Sequence, residues 1–409
     1  MSVNIKVSGK VYNGVNTISL KDDDNKNISF LCQSTLKPNV ATSDVNFYDY
    51  DGTRVAAYTK ADFLTLTALP NNPVHAGLVA DGWNWTLADA QAYVSANDIL
   101  DIGQNYHTES EKCEYDVIIN ENTGLVFSTS TLSEKDWGDG TVDSETSHTY
   151  ANYGKYTIKS STPLPVGSKG NVEEIRLKSG ITELTPQSYY MSLWGLKRIA
   201  IPATVQTIIS MEYCYCLECV VIPSGVTTMY YQEFSHCSSL RYCCMPKSIT
   251  SMGNGSTFEE DYALESLTIP PQVQTIPTGV IYEATPLKRV AIPSSVTNIS
   301  GSAFLNCVTL RELKLVDGLV TIGSGAFNMC ISLLKLEIPS TVETISANAF
   351  FGMNCVKAIK VLPTTPPAFG TNAIPTTVQK IYIPNGTLAA YEAASGWSNF
   401  VGKFEELPA

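Results

Sequence analysis

Three consecutive stretches are near copies of one another: LKRVAIPSSVTNISGSAFLNCVT (residues 287–309), LRELKLVDGLVTIGSGAFNMCIS (residues 310–332) and LLKLEIPSTVETISANAFFGMNC (residues 333–355). Less regular copies begin upstream at Val172, Leu196, Leu217, Leu240 and Leu264. A period of about 23 residues, held over such a length, predicts stacked supersecondary units, because one unit alone cannot bury its apolar side. We therefore expect a solenoid of about eight coils over residues 167–377.

Each repeat contains the signals of a short strand followed by a turn. The alternating apolar residues of L-x-x-I-x-I predict a strand with one buried face, and the proline that follows ends the strand because it has no N–H to donate. A second apolar pair, V-x-x-I, predicts another short buried run. The small residues of G-S-G-A-F then predict a turn in which neighbouring coils pack closely.

The full pattern, L-x-x-I-x-I-P-x-x-V-x-x-I-x-x-x-A-F-x-x-C, resembles the BspA-type leucine-rich repeat. The resemblance covers about half of the chain. It implies a curved, right-handed solenoid that binds other macromolecules, typically as a surface adhesin, and it implies no catalysis.

Composition limits the class of partner. The chain has 409 residues and a formal net charge of -12, which argues against nucleic acid and against an anionic membrane surface. No run of 18 apolar residues occurs, so no transmembrane helix is expected. The first residues, MSVNIKVSGKV, lack an apolar core, so we expect no secretory signal peptide.

The eleven cysteines fit a ladder of free thiols better than a disulfide framework. Cys216, Cys237, Cys307 and Cys330 are assigned to one equivalent position just before the next coil, where a buried thiol packs as a small hydrophobe. Free thiols are typical of folding in a reducing cytoplasm. A zinc site at Cys214, Cys216 and Cys219 is the alternative, but no histidine pair completes it. No metal or cofactor is therefore expected.

The chain divides into five segments. We predict a multidomain, mainly β protein with an N-terminal β segment (1–43), a small α/β module (44–110), a β module (111–166), the solenoid (167–377) and a C-terminal cap (378–409). In the α/β module, Thr86 and Asp89 predict a helix start of the capping-box type. The cap is expected to contain a helix that begins at Leu388.

An acidic trio in the first segment raises the possibility of a calcium site. Asp22, Asp23 and Asp24 could bind the ion, but they fit a solvated hairpin tip better, because no bidentate glutamate follows at the needed spacing.

The segment FYDYDGT (residues 47–53) matches the D-x-D-G-T loop of haloacid-dehalogenase phosphatases. Such an enzyme would use Asp49 as nucleophile and Asp51 as acid and base, with magnesium held by further acidic residues. No doubly wound sheet can be assigned around this loop. A hairpin with Asp51 and Gly52 at the turn is the favoured interpretation, and the magnesium-dependent phosphatase is a minor alternative.

The same module resembles N-terminal modules of tail-associated proteins from phages and prophages of gut bacteria. The stretches that carry the resemblance are Phe47–Thr53, Leu69–Leu78, Gly82–Trp85 and Ile102–Tyr106. The resemblance implies attachment to a virion through residues 1–110. Within it, the lone His75 is interpreted as a structural histidine rather than a ligand.

Residues 111–166 carry W-G-D-G (137–140), H-T-Y (148–150) and G-K-Y-T-I (154–158). This spacing resembles the polycystic-kidney-disease (PKD) repeat, an immunoglobulin-like β-sandwich, and implies a stiff spacer. Gly138 and Gly140 supply unusual backbone angles in a turn, and Asp139 is expected to cap it.

Candidate binding residues lie in the less regular coils, where aromatic side chains replace small turn residues. Aromatic rings provide a large contact area at a low cost in conformational entropy. Packing between imperfect coils is the alternative explanation, and Tyr213 is assigned to the core on that ground. The candidates are Tyr190, Trp194, Tyr215, Tyr230, Tyr231, His236, Tyr242, Tyr262 and Tyr282, with Lys197, Arg198 and Arg241 on the open face of the repeat strands.

These observations lead to a non-enzymatic recognition protein. The leading hypothesis is a phage or prophage tail-associated receptor-binding protein, located on the virion, whose solenoid binds a bacterial surface glycan or protein. The alternative is a BspA-type adhesin at the bacterial cell surface. Expected partners are the receptor, neighbouring tail proteins and further copies of the chain in a homo-oligomer.

Overall fold

The computed structural model describes residues 16–21, 27–32, 44–165, 171–184, 192–208, 210–230, 232–253, 255–283 and 286–408. They fall into two units, with the boundary after Ser43. In the first unit, β1 (Asn16–Lys21) pairs antiparallel with β2 (Asn27–Cys32). The acidic trio at 22–24 lies outside the described residues. Residues 44–408 form the second, compact unit.

The second unit begins with a four-stranded sheet and two helices. These are β3 (Val45–Tyr48), β4 (Arg54–Tyr58), α1 (Lys60–Phe63), β5 (Leu78–Trp83), α2 (Leu87–Ala96) and β6 (Leu100–Thr108). The strand order is β4-β3-β6-β5, with β3 and β6 parallel. Helix α2 begins at the predicted capping box, where the Thr86 side chain accepts from the Asp89 N–H at 3.2 Å.

Alternation along the strands gives this sheet two different faces. Val45, Phe47, Leu100 and Ile102 point toward the helices and form one core with Trp85. The intervening residues of β3 and β6 point the other way.

Residues 111–165 form two small sheets from six strands. These strands are β7 (Cys113–Ile119), β8 (Val126–Ser128), β9 (Lys135–Asp136), β10 (Val142–Asp143), β11 (Ser147–Thr149) and β12 (Gly154–Ser160). Trp137, Phe127 and Tyr150 are buried in this module. As expected, Gly138 and Gly140 have positive φ of 83° and 97°, and Asp139 caps the turn by accepting from the Thr141 N–H at 3.0 Å. The likeness to a PKD repeat stays a prediction.

The larger sheet of this module continues into the solenoid. Strand β7 pairs antiparallel with β13, the first strand of the solenoid, giving a six-stranded sheet in the order β10-β9-β12-β7-β13-β14. Strand β7 of the same chain therefore pairs with the first coil, so this end of the solenoid does not expose the edge of β13.

One side of the solenoid is a stack of parallel strands, which we name the open-face ladder. Its strands are β13 (Val172–Arg176), β14 (Arg198–Ala200), β15 (Cys219–Val221), β17 (Tyr242–Cys244), β19 (Ser266–Thr268), β21 (Arg289–Ala291), β23 (Glu312–Leu313), β25 (Leu336–Ile338), β27 (Ala358–Val361) and β29 (Lys380–Ile383). The described residues thus make about ten turns rather than the eight expected, because degenerate copies at both ends also form coils.

A second ladder is formed by the short strand that follows each open-face strand from β15 to β27. It contains β16 (Thr228–Met229), β18 (Ser251–Met252), β20 (Thr275–Ile276), β22 (Asn298–Ile299), β24 (Thr321–Ile322), β26 (Thr344–Ile345) and β28 (Ala368–Phe369). In the core of the regular coils, Phe304, Phe327 and Phe350 stack with ring centroids 5.1 and 5.4 Å apart. One equivalent side chain per coil therefore forms a continuous column.

The thiol ladder exists, but one of its members differs from the prediction. Leu217 donates its N–H to the Cys214 carbonyl, as Leu240 does to Cys237, so Cys214 rather than Cys216 holds the repeat position.

The aromatic column is also shifted in this coil. Met211, not Tyr213, takes the core position that phenylalanine holds elsewhere. The turn of this coil, MEYCYC, has no phenylalanine to mark the core position, whereas the regular coils have the A-F pair there.

The last coil is covered by a short helical segment. Helix α3 (Leu388–Ala393) begins at the predicted residue, and a 3₁₀ turn (Trp397–Phe400) and β30 (Phe404–Glu406) follow it. Trp397 and Phe400 pack on Phe369 with centroids 4.7 and 6.0 Å away. Strand β30 continues the parallel ladder from β29, so the segment closes the coil core but adds one more strand.

Candidate functional site

The N-terminal sheet lies directly on the open-face ladder. Asn84 donates its side-chain amide to the carbonyls of Ile222 and Cys244 at 3.1 and 2.8 Å. The Trp85 indole donates to the Met245 carbonyl at 2.9 Å. The face that such a solenoid presents is therefore occupied by residues 44–110 of the same chain over its early coils.

Charged groups border this internal interface. Arg289 pairs with Asp44 at 3.2 Å, and Lys247 pairs with Asp89 at 2.7 Å. At its centre the Asp101 carboxylate accepts from the Ser266 hydroxyl at 2.6 Å, and burial raises the pKa of this carboxyl. A charged rim around a buried centre is the usual anatomy of a protein interface.

The sequence holds a signal for this docking that the repeat pattern alone does not reveal. On each repeat strand, the second outward residue is small or uncharged where the module covers it and is mostly charged elsewhere. The covered positions are Ala200, Val221, Cys244, Thr268 and Ala291, whereas the uncovered ones are Arg176, Lys314, Glu337, Lys360 and Tyr382. A run of small, neutral residues on a solvated face indicates a partner surface.

The open-face candidates have partners inside the protein. The Tyr242 ring stacks on Tyr48 with a centroid distance of 3.9 Å, beneath the docked sheet. The basic candidates form ion pairs: Lys197 with Glu173 at 2.5 Å, Arg198 with Glu174 at 2.8 Å and Arg241 with Glu265 at 2.7 Å. Their role in ligand binding stays a prediction, and their charges are neutralised in the free protein.

The turn-side candidates are more accessible. Trp194, Tyr215, Tyr230 and Tyr262 are 51, 40, 53 and 45% exposed. His236 and Tyr282 are half-buried. Tyr190 and Tyr231 lie outside the described residues. We name the four exposed rings the aromatic rim.

Polar contacts order part of this rim. The His236 ring lies 4.6 Å from the Tyr213 ring, and its Nε2 lies 3.7 Å from the Glu260 carboxylate. Tyr262 donates its hydroxyl to the same carboxylate at 3.1 Å. Burial and Glu260 together raise the pKa of Tyr262. The rim is therefore a mixed aromatic and acidic surface.

The turn backbone beneath the rim adopts an unusual conformation. Tyr213, His236, Glu260, Glu283 and Asn306 occupy one repeat position with φ between 58° and 63°. The N–H of each donates to a carbonyl of the next coil. Non-glycine residues in this region cost about 1 kcal/mol or more each, so the coil stack holds these side chains in place.

A groove opens where the docked module ends. It has a volume of about 350 Å³ and lies between residues 96–99 and coils six to eight, counted from β13, which begin with β21, β23 and β25. Arg311, Lys314 and Lys335 line it, and within the described residues none of the three has an acidic side chain in ion-pair range. Leu334, 67% exposed, forms part of its wall.

The phosphatase motif has a structural role instead. Asp49 accepts the N–H of Gly52, which closes the β3–β4 hairpin with Asp51 and Gly52 at the turn, as the sequence favours. Its buried carboxylate lies 2.6 Å from His75 Nε2. That pairing gives His75 the structural role expected of it and leaves Asp49 facing the protein interior.

The cysteines of the thiol ladder line the coil core. All described cysteines are free, and Cys237, Cys307 and Cys330 donate their thiols to the carbonyls of Met211, Ile281 and Phe304 in the preceding coil at 3.1, 3.6 and 3.3 Å. Among the described residues, no group of three or more His, Cys, Asp or Glu side chains has the arrangement of a metal site.

A comparison with known protein families agrees with this architecture. The model of the BspA type leucine rich repeat region matches residues 182–311 and 280–389, in six copies. No curated protein matches the chain. No helix among the described residues combines the length and apolarity needed to cross a bilayer.

Three solved structures are similar to part of the chain. A leucine-rich repeat protein from Bacteroides ovatus is 20% identical over 57% of this chain and 77% of its own, with a TM-score of 0.28. A leucine rich cell surface protein from Faecalibacterium prausnitzii is 22% identical over 55% and 76%, with a TM-score of 0.30. The leucine-rich repeat protein of T. pallidum is 20% identical over 58% and 91%, with a TM-score of 0.29.

The stacked coils define a leucine-rich-repeat solenoid. More particularly, the chain belongs to the BspA-type leucine-rich repeat family. The match ends at residue 182 on its N-terminal side, so the likeness of residues 44–110 to tail-associated proteins stays a prediction.

Proposed function

We propose that this protein is a non-enzymatic recognition protein of the cell surface, an adhesin that binds a surface glycan or protein through the aromatic rim. The observation that carries the proposal is the exposure of Trp194, Tyr215, Tyr230 and Tyr262 on the turns of a rigid stack. Exposed aromatic rings provide a large contact area, and aromatic residues dominate binding hot spots. Family membership supports the class, and no catalytic family is indicated.

The cell-surface role is preferred over the virion role for a structural reason. Residues 44–110, which the virion hypothesis assigns to attachment, cover the outward face of coils two to six. Packing against the solenoid explains the apolar and polar residues of this module, so no neighbouring virion protein is needed to explain them.

The experiment measures binding of the fluorescently labelled protein to intact bacterial cells and to isolated cell walls. The double variant Tyr215→Ala/Tyr262→Ala should lose most of the binding with an unchanged melting temperature. The matched control is Tyr153→Ala, another exposed tyrosine, on the 111–165 module. Periodate or protease treatment of the cells then distinguishes a glycan from a protein receptor. Wild-type binding by the double variant would exclude the rim, and absence of any cell binding would refute the adhesin proposal.

A further inference from the structure

The open-face ladder is interrupted at three places. Within the described residues, no strand pairing joins β14 to β15, β17 to β19, or β23 to β25. The second ladder, in contrast, is continuous from β20 to β28. At the third interruption, β24 and β26 stay paired on the second ladder, so these two coils are separated on the open face only. Backbone groups at each interruption are left without ladder partners.

Side chains of the docked module fill the first two interruptions. At the first, the Asn105 amide donates to the carbonyls of Ile201 and Val221 at 3.2 and 3.3 Å, one on each side of the gap. At the second, the Trp85 indole donates to the Met245 carbonyl at 2.9 Å, and the Tyr93 hydroxyl donates to the Ile269 carbonyl at 3.0 Å. Each gap thus receives donors from outside the ladder.

The third interruption lies just beyond the module and coincides with the groove. Residues from both sides of the gap, Leu313 and Lys314 on one coil and Leu334 and Lys335 on the next, line the groove. Coil seven also lacks the proline of its neighbours and carries Val316 at that position, followed by Asp317-Gly318. In the described part of the chain no side chain bridges this gap as Asn105 bridges the first.

The lining indicates the chemistry of an occupant. Arg311, Lys314 and Lys335 bring to one groove three cations that have no acidic partner among the described residues, in a protein whose net charge is -12. The two carboxylates of the lining are already paired: Asp98 with Lys60 at 3.4 Å, and Glu312 with Arg289 at 3.2 Å. Most basic side chains elsewhere on the solenoid strands are paired, for example Arg198, Arg241 and Lys360. Unpaired cations converging on a concave surface favour an anionic ligand.

We propose that this groove binds an extended acidic peptide segment of a partner protein, whose backbone supplies the hydrogen-bonding groups that the interrupted ladder lacks. A peptide fits better than an anionic polysaccharide because the walls are aliphatic, at Leu313, Val316 and Leu334. None of the described lining residues is aromatic, although sugar faces stack best on aromatic rings. Backbone pairing along a strand edge with alternate side chains in pockets is an established mode of peptide recognition.

The test uses the complete chain and a fluorescein-labelled octapeptide of alternating Glu and Val, followed by fluorescence anisotropy at low salt. We expect saturable binding that weakens as NaCl is raised, and none by the Lys-Val peptide of opposite charge. The double variant Lys314→Gln/Lys335→Gln should weaken binding about fivefold or more, since each exposed pair contributes a factor of up to about five. The control Lys357→Gln, an exposed lysine of the next coil outside the groove, should bind as wild type.

Three results would overturn the proposal. Absence of binding of the Glu-Val peptide at millimolar concentration would do so, and so would equal affinity of wild type and the double variant. Tighter binding of oligogalacturonate than of the peptide, lost in the same double variant, would reassign the groove to an anionic glycan. The rim variant Tyr215→Ala/Tyr262→Ala should retain peptide binding, which keeps this test separate from that of the adhesin role.

Discussion

Gly103 lies in contact with Val221 across the interface between the N-terminal sheet and the solenoid. A β-carbon on Gly103 would come within 2.5 Å of both methyl carbons of Val221 and within 2.8 Å of Cys244 Cβ. The two sheets therefore approach as closely as a residue without a side chain allows. The close packing at Gly103 leaves no room for a side chain there. Residues on both sides of the interface therefore specify the docking of residues 44–110.

The first prediction concerns this contact. Gly103→Ala should lower the free energy of unfolding by about 1–3 kcal/mol, because the added carbon overpacks a buried interface. Urea unfolding followed by tryptophan fluorescence measures the change. Gly154→Ala, whose β-carbon would meet only ordinary contacts from 3.5 Å, is the control. The double variant Gly103→Ala/Val221→Ala should recover part of the loss, and failure to recover would show that the clash is not with Val221.

The second prediction concerns the bridge at the first ladder interruption. Asn105→Leu should cost about 1–3 kcal/mol, because two buried carbonyls lose their donor. Hydrogen exchange should increase in β14 and β15 and stay unchanged in β24 and β26. The exposed Asn122 serves as control through Asn122→Ala. Unchanged protection of β15 would mean that the amide is dispensable.

The third prediction is a dependence of stability on pH. Glu233 stands where the regular coils carry the alanine of A-F, for example Ala303. It is fully buried, and neither carboxyl oxygen has a hydrogen-bond partner among the described groups. Burial raises the pKa of Glu233 to about 8, and it also raises the pKa of Asp261. The folded state therefore holds more protons than the unfolded state, so stability falls as pH rises from about 4.5 to about 8.

Glu233→Gln should weaken this pH dependence, with a gain of a few kcal/mol at pH 9 and a small change at pH 4.5. Chemical denaturation at pH 4.5, 7 and 9 measures it. The neighbouring, partly exposed Glu259 provides the control variant Glu259→Gln. Parallel stability profiles for wild type and Glu233→Gln would contradict a buried, protonated glutamate.

The fourth prediction concerns thiol reactivity. In a Cys32→Ser background, Cys355, the exposed cysteine among those described, should react rapidly with a thiol reagent in the native protein. Cys307 and Cys330 should react only on unfolding, because burial raises the pKa of both thiols, that of Cys330 to about 12. Adding Cys355→Ser to the Cys32→Ser variant should remove the fast phase of the thiol reaction. Rapid native labelling of Cys330 would show that the coil core is open.

Repetition made the solenoid predictable. Each coil repeats the same strand, proline, second run and turn, so an error at one residue is corrected by its neighbours. The prediction is wrong where repetition fails. The position just before the next coil favours Cys216 for the thiol ladder, but backbone hydrogen bonds place Cys214 there instead.

The candidate site was less predictable. The aromatic turns could be identified because tyrosine replaces small residues at known repeat positions. The covering of the open face could not be identified, because neither Ala200 nor Thr268 shows any sign of a partner when its coil is considered alone. The groove depends on an interruption between β23 and β25, which is a property of two coils and not of either sequence.

The coil, its period and the side chains that face the core can all be inferred from the order of residues, because they follow from local alternation and from interactions between neighbours one repeat apart. Which part of the open face is available to a partner emerges only when the chain is folded. That outcome depends on contacts between residues more than 100 positions apart, such as Asn84 with Ile222 and Gly103 with Val221. Sheet-on-sheet docking depends on shape and on the pairing of buried polar groups, which no local pattern encodes.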